Sequence, residues 1–217
     1  MIVNLNLRNK TVVIIGGGKE AQKRINSLLK QKCKIIVISE YVDSQIIKLV
    51  KTNEIILIKE KIQDMKFISK LKPNMIITTT DDKKINQKII NNAKKRNILA
   101  YSSDNPEESD FSNPAIIDFE KMIQIAIFTG GVSPAIAKKI KIKSETTFKK
   151  IINKEDVAQI KIQKVVREIA KKTIATQNQR KEYIQRIMID NEIKQLIKDN
   201  QIKKAEKRAI TIMKELK

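Results

Sequence analysis

Five glycines serve a chain of 217 residues, and three of them are consecutive. They lie in TVVIIGGGKEAQKRI, residues 11–25. The residues before them form a β-branched, apolar run, the pattern of a buried strand. Those after them, KEAQKRINSLLK, carry a helical pattern. The turn between fits G-x-G-x-x-A, with Gly16, Gly18 and Ala21 in the three small-residue places. Each place has a physical reason. Gly16 permits the sharp turn, Gly18 lets a pyrophosphate approach backbone with no Cβ in the way, and Ala21 lets the helix lie close to the sheet. The helix N-terminus then offers unpaired N–H groups and a positive dipole end.

A second strand pattern, KIIVI, runs on to Glu40, 19 residues past Ala21. An acid at that distance suits a ribose hydroxyl pair and would repel a 2′-phosphate, so the pattern points to NAD rather than NADP. Candidate strands are 11–15, 34–38, 54–58, 75–79 and 98–101. Between the last two, Ile85, Ile89 and Ala93 recur every four residues, a helix with Asp82 as its N-cap. Strand alternating with helix predicts a parallel, Rossmann-type sheet. TTTDD follows the fourth strand, which places Thr80 and Asp81 at the carboxyl edge of that sheet. Either could line a cofactor or simply cap the next helix.

Further along, PAIID and MIQIAIF read as two strands. The other two glycines open TGGVSPAIAKK, where a proline near the first turn starts a helix. No glycine follows Gly131 and no proline follows Pro134, so the rest should be helical. Ile202, Ala205, Ala209, Ile212 and Leu216 mark one face of the last helix.

The chain has no histidine and one cysteine. That excludes His-based triads, the usual zinc sites and an internal disulfide, and Cys33 reads as a small buried hydrophobe. No apolar run is long enough to span a membrane, and the first residues lack a signal-peptide design, so a cytoplasmic protein with no membrane partner is expected. The formal charge is +21, and residues 141–217 hold 21 basic against 10 acidic groups. Such a field suits a polyanionic partner, yet lysine is spread throughout, as a compositional bias would produce. A regulatory or nucleic-acid-binding protein with a dinucleotide-sensing domain is one reading. Nucleic acid is the less favoured partner, because no recognition motif is present.

Four stretches, LNLRNKTVVIIGGGKEA, TTTDDKKINQKI, SSDNPEESDFSNPAIID and TGGVSPAIAKKIK, resemble in order and spacing the siroheme synthase N-terminal family of precorrin-2 dehydrogenases, some of which are also sirohydrochlorin ferrochelatases. The similarity extends to QRKEYIQRIMIDNEIKQLI, a less specific piece. The resemblance implies NAD-dependent oxidation of precorrin-2 to sirohydrochlorin. It implies a homodimer, and Fe²⁺ as a substrate only if the chain also chelates. It implies an α/β Rossmann-type domain (1–112), a small α+β dimerisation segment (113–146) and an all-helical C-terminal region (147–217). The family's catalytic aspartate falls on Asp104; on the residues alone, Asp104 reads equally as a cap for the turn at Asn105-Pro106. Family cofactor contacts fall near Lys19, Glu20, Glu40 and Tyr41, and the hydroxyl residue before the paired glycines falls on Thr129. Thr129, Gly130, Gly131 and Ser133 then form a loop whose N–H and hydroxyl groups could hold the eight carboxylates of precorrin-2. The family's usual Asn-Val-Val before the aspartate is Tyr101-Ser102-Ser103 here, and its common glycine or alanine near Cys33 is absent.

Overall fold

The structure, a computed structural model, describes residues 2–215. Leu216, the end of the predicted apolar face, lies outside the described residues. The chain divides between Asn113 and Pro114 into two units.

The first unit is built on five parallel strands. They are β1 (Thr11–Ile15), β2 (Lys34–Ile38), β3 (Ile56–Ile58), β4 (Met75–Thr78) and β5 (Leu99–Ser102), in the order β3-β2-β1-β4-β5. The helices α1 (Lys19–Leu28), α2 (Ser44–Lys51), α3 (Lys66–Leu71) and α4 (Lys83–Lys94) connect them. The strands are apolar at nearly every position because both faces are covered. Val12, Ile14, Val37 and Ile77 pack with Ala21, Ile25 and Ile46 of α1 and α2. Val13, Ile15, Ile36 and Ile76 point the other way, onto Phe67, Ile68, Ile89 and Ala93 of α3 and α4. Chain order reverses between β1 and β4, which opens a crevice at the carboxyl edge of these two strands.

The predicted strands sit in register with small corrections. β3 begins at Ile56 rather than residue 54, because it is the edge strand and only Ile56–Ile58 pair with β2. β4 stops at Thr78, and β5 runs one residue later than predicted. Asp82 caps α4 as expected, accepting from the N–H groups of Lys84 and Ile85, both at 3.0 Å. Cys33 is partly buried against the α1 side of the core, where burial raises its thiol pKa.

The scarcity of glycine does not mean a scarcity of left-handed turns. Among the described residues, eight other than glycine have positive φ, including Asn9, Lys32, Asn53, Lys72, Asn97 and Asn200. Asparagine carries this conformation at lower cost than most residues; lysine has no such advantage. The positive-φ glycines are Gly16, Gly130 and Gly131, all in the two loops singled out above.

The second unit begins with an antiparallel pair, β6 (Ala115–Phe119) and β7 (Ile123–Ile127), followed by α5 (Pro134–Ile151). Four helices follow: α6 (Lys154–Thr173), α7 (Gln177–Ile189), α8 (Asn191–Lys198) and α9 (Ile202–Glu215). Their shared core holds Ile162, Tyr183, Ile187 and Ile193 with Ala205, Ala209 and Ile212 of the predicted stripe. The Tyr183 hydroxyl donates to the Ala209 carbonyl at 2.7 Å, and burial pushes its pKa up to about 12.

Candidate dinucleotide site and the carboxylate beside it

The three glycines of the first loop have three different jobs. Gly16 has φ +107°, and a Cβ there would lie 2.6 Å from the Thr79 hydroxyl. Gly17 is buried, and its Cβ would lie 2.2 Å from the Tyr41 carbonyl oxygen. Only Gly18 is exposed, and a Cβ built on it meets nothing within 4 Å. It is also the N-cap of α1, where the first N–H groups of a helix have no partner within it. The open position is the one where the sequence pattern expects a close approach to backbone, and Gly17 is packed at long range in a way no local pattern discloses. Ala21 is fully buried beneath the turn, as its close helix-to-sheet place requires.

A cleft of about 210 Å³ opens at this sheet edge, lined by Ile15, Gly16, Ile38, Ser39, Glu40, Thr80 and Asp82. Glu60, Lys61 and Ile62, after β3, and Ile85 of α4 complete its wall. Glu40 and Thr80 therefore face one cavity with the glycine turn. Asp81 does not line it; the capping Asp82 does. Tyr41 is 84% exposed, and its main chain, not its ring, touches the turn. Its carbonyl also accepts the Ser39 hydroxyl at 2.7 Å.

Lys19 is exposed at the start of α1. Glu20 is engaged within its own helix by Lys23 at 3.1 Å and by Arg24. Partial burial pushes its carboxyl up, but the bonds and charges of Lys23 and Arg24 outweigh this and hold it below its usual range. Arg24 in turn lies over the Tyr101 ring, 4.7 Å from its centroid.

Asp104 stands two residues past β5, on the same edge, and is exposed. Its Oδ1 accepts the Ser102 hydroxyl at 2.5 Å and Asn86 Nδ2 at 2.9 Å. Neither partner was foreseen. Asn86 had a signal, since it precedes Ile89 and Ile90 by three and four residues and so falls on the core-facing side of α4. It is 1% exposed.

Thr129, Gly130, Gly131 and Ser133 belong to the second unit, where they form the turn from β7 into α5. Val132 N–H closes it on the Thr129 carbonyl at 3.1 Å. The Thr129 hydroxyl donates to the Ser133 carbonyl at 2.9 Å, so in this structure its proton is directed into the turn itself. The Ser133 oxygen caps α5 by accepting Ile136 N–H at 3.3 Å.

The strand order, the open glycine at a helix N-terminus and an acid in the adjoining cleft define a dinucleotide-binding α/β domain. The chain belongs to the family described as "Putative NAD(P)-binding", whose sequence model matches residues 3–115. It is 27% identical over 140 residues to a siroheme synthase of Mannheimia succiniciproducens, covering 64% of this chain and 29% of that protein. It is 25% identical over 202 residues to that of Actinobacillus pleuropneumoniae, covering 93% of this chain and 40% of the relative. A siroheme synthase of Methylococcus capsulatus is 30% identical over 142 residues, covering 65% and 29%. The chain thus matches well under half the length of these relatives. A solved structure titled SirC, precorrin-2 dehydrogenase, shares the fold, with a TM-score of 0.71 and 20% identity over 96% of this chain and 99% of that one.

Proposed function

We propose that the chain is an NAD-dependent precorrin-2 dehydrogenase, oxidising precorrin-2 to sirohydrochlorin. The observation that carries this reading is a single sheet edge bearing both the open Gly18 cradle and the carboxylate of Asp104. The similarity to siroheme synthases and the fold shared with a precorrin-2 dehydrogenase support it. The residues fit the cofactor: the space at Gly18 would admit a diphosphate, the α1 N-terminus would stabilise its charge, and Glu40 would accept from the ribose hydroxyls. Bound NAD supplies the hydride acceptor. The oxidation removes a hydride and a proton from the macrocycle, so a base must take the proton. With no histidine in the chain a carboxylate is the natural base, and the resemblance to the family puts that role on Asp104, at the carboxyl edge of the sheet. Lys19 adds positive charge at the diphosphate end.

In the second unit, Gly130, Gly131 and Ser133 present a turn at the N-terminus of α5 for the carboxylates of the substrate, with Thr129 bracing the turn from within. Residues 113–146 serve as the dimerisation segment of a homodimer. Two observations support this. A two-stranded sheet is marginal alone, and Phe128, Ile136, Ile140 and Ile142 around it are exposed apolar groups. Insertion of Fe²⁺ into the product would rest on the pyrrole nitrogens as ligands.

The test is incubation with precorrin-2 and NAD, followed by absorption, then addition of Co²⁺ or Fe²⁺. Appearance of sirohydrochlorin in the first step is expected, and Asp104→Ala should bind NAD normally while losing turnover. No oxidation by the wild-type chain, or full activity in Asp104→Ala, would overturn the reading.

A further inference from the structure

Asp104 is exposed, yet its carboxylate is tied to two of the most buried polar side chains in the first unit. Ser102 is 2% exposed, Asn86 1% and Thr78 0%. Buried hydroxyls and amides must find partners, and here the partners determine the direction of every proton. The carboxylate can only accept, so Ser102 gives its one proton to Asp104 Oδ1 at 2.5 Å. Ser102 must then accept from Thr78, whose hydroxyl is 2.9 Å away. On the other side, Asn86 Nδ2 donates to Asp104 Oδ1 at 2.9 Å and to the Thr80 carbonyl at 2.8 Å. Asn86 Oδ1 accepts the Thr80 hydroxyl at 2.6 Å. A flipped amide would set oxygen against a carboxylate and a carbonyl, so only one orientation is consistent.

Donors from two elements, β5 and α4, therefore converge on one carboxylate oxygen, and among the described residues none bonds to the other. The geometry points to Ser102 and Asn86 as positioning residues, which hold Asp104 by Oδ1 and leave Oδ2 turned outward to take a proton. Thr78 sets the direction of the Ser102 hydroxyl. This rests on the reading of Asp104 as the base. It also gives a use to the sequence's departure at Tyr101-Ser102-Ser103, since a valine at 102 could not donate.

Three full-chain variants test it: Ser102→Ala with Thr78→Val, which removes both hydroxyls and orphans neither; Ser102→Thr, which keeps the donor; and Asp104→Ala. The double variant should lose about 10-fold or more in kcat, as expected for a misaligned reacting group, with KM for NAD and precorrin-2 unchanged. Ser102→Thr should stay close to wild type. A double variant with wild-type kcat, or a Ser102→Thr as impaired as the double variant, would overturn the inference while leaving Asp104 as base. An active Asp104→Ala, by contrast, would remove the base itself. A readout free of activity completes the test: the Asn86 side-chain amide protons should exchange slowly in the wild type and faster in Asp104→Ala. Equal exchange in the two proteins would overturn the network.

Discussion

A Cβ on Gly17 would stand 2.2 Å from the carbonyl oxygen of Tyr41. The turn after β1 and the turn after β2 are packed backbone to backbone here, and Asp43 N–H donates to the Gly17 carbonyl at 2.8 Å. The neighbouring Gly18 has no such constraint. Adjacent glycines thus differ in kind: one is packed against main chain and the other borders open space.

Gly17→Ala is expected to destabilise the first unit by about 1–3 kcal/mol, the usual cost of overpacking. Gly18→Ala has allowed backbone angles and open space, so it should cost less stability than Gly17→Ala; the remaining loss, about 1 kcal/mol or less, is that alanine is a poorer N-cap than glycine. Its NAD affinity should fall at least about tenfold, since the methyl group would occupy the cradle. Urea unfolding beside NAD titration distinguishes the two. A Gly18→Ala protein that binds NAD normally would contradict the placement of the diphosphate.

Glu40 lines the cleft beside Ser39 and Gly16. Removing its charge should weaken NAD binding by roughly 1.5–3 kcal/mol, the range for charge-assisted hydrogen bonds, and lessen the discrimination against NADP. Affinities of Glu40→Ala for both dinucleotides would show this; an unchanged ratio would place the ribose elsewhere.

The Tyr183 hydroxyl, with its pKa raised to about 12, makes the helical core sensitive to alkali. A raised folded pKa means the un-ionised phenol contributes fully below its unfolded value, about 10. That contribution is lost as pH rises from about 10 to about 12. Tyr183→Phe should therefore unfold less steeply with pH across this window than wild type, while being about 1 kcal/mol less stable at neutral pH from loss of the bond to Ala209. Denaturant midpoints at pH 8, 10 and 11 would compare the two.

Lys32 and Lys72 hold φ of 55° and 45° at the ends of short helical segments. Replacing either with glycine should relieve left-handed strain of about 1 kcal/mol, partly offset by the greater freedom of an unfolded glycine. A rise in Tm is expected for each, and a fall would show that the lysine stems contribute more than the strain removes.

The sequence made legible what repeats locally. The strand before Gly16, the helix after Gly18, the acid at Glu40 and the cap at Asp82 all follow from spacing. Edge strand β3 was overextended because its limits are set by its partner and not by its own residues. Gly17, Asn86 and Ser102 escaped for the same reason at greater range: each acts on a group brought close by the fold, at Tyr41, Thr80 and Thr78. Thr129 is similar at short range: the bond of its hydroxyl to the Ser133 carbonyl depends on how the turn closes, which residue types alone do not disclose.

The left-handed turns filled by asparagine and lysine show that an ordinary bend can be held without glycine, at a modest cost each. At Gly16 and Gly17 neighbouring main chain leaves no room for that exchange, so a library of side chains tolerated at the other bends should be rejected at these two buried positions.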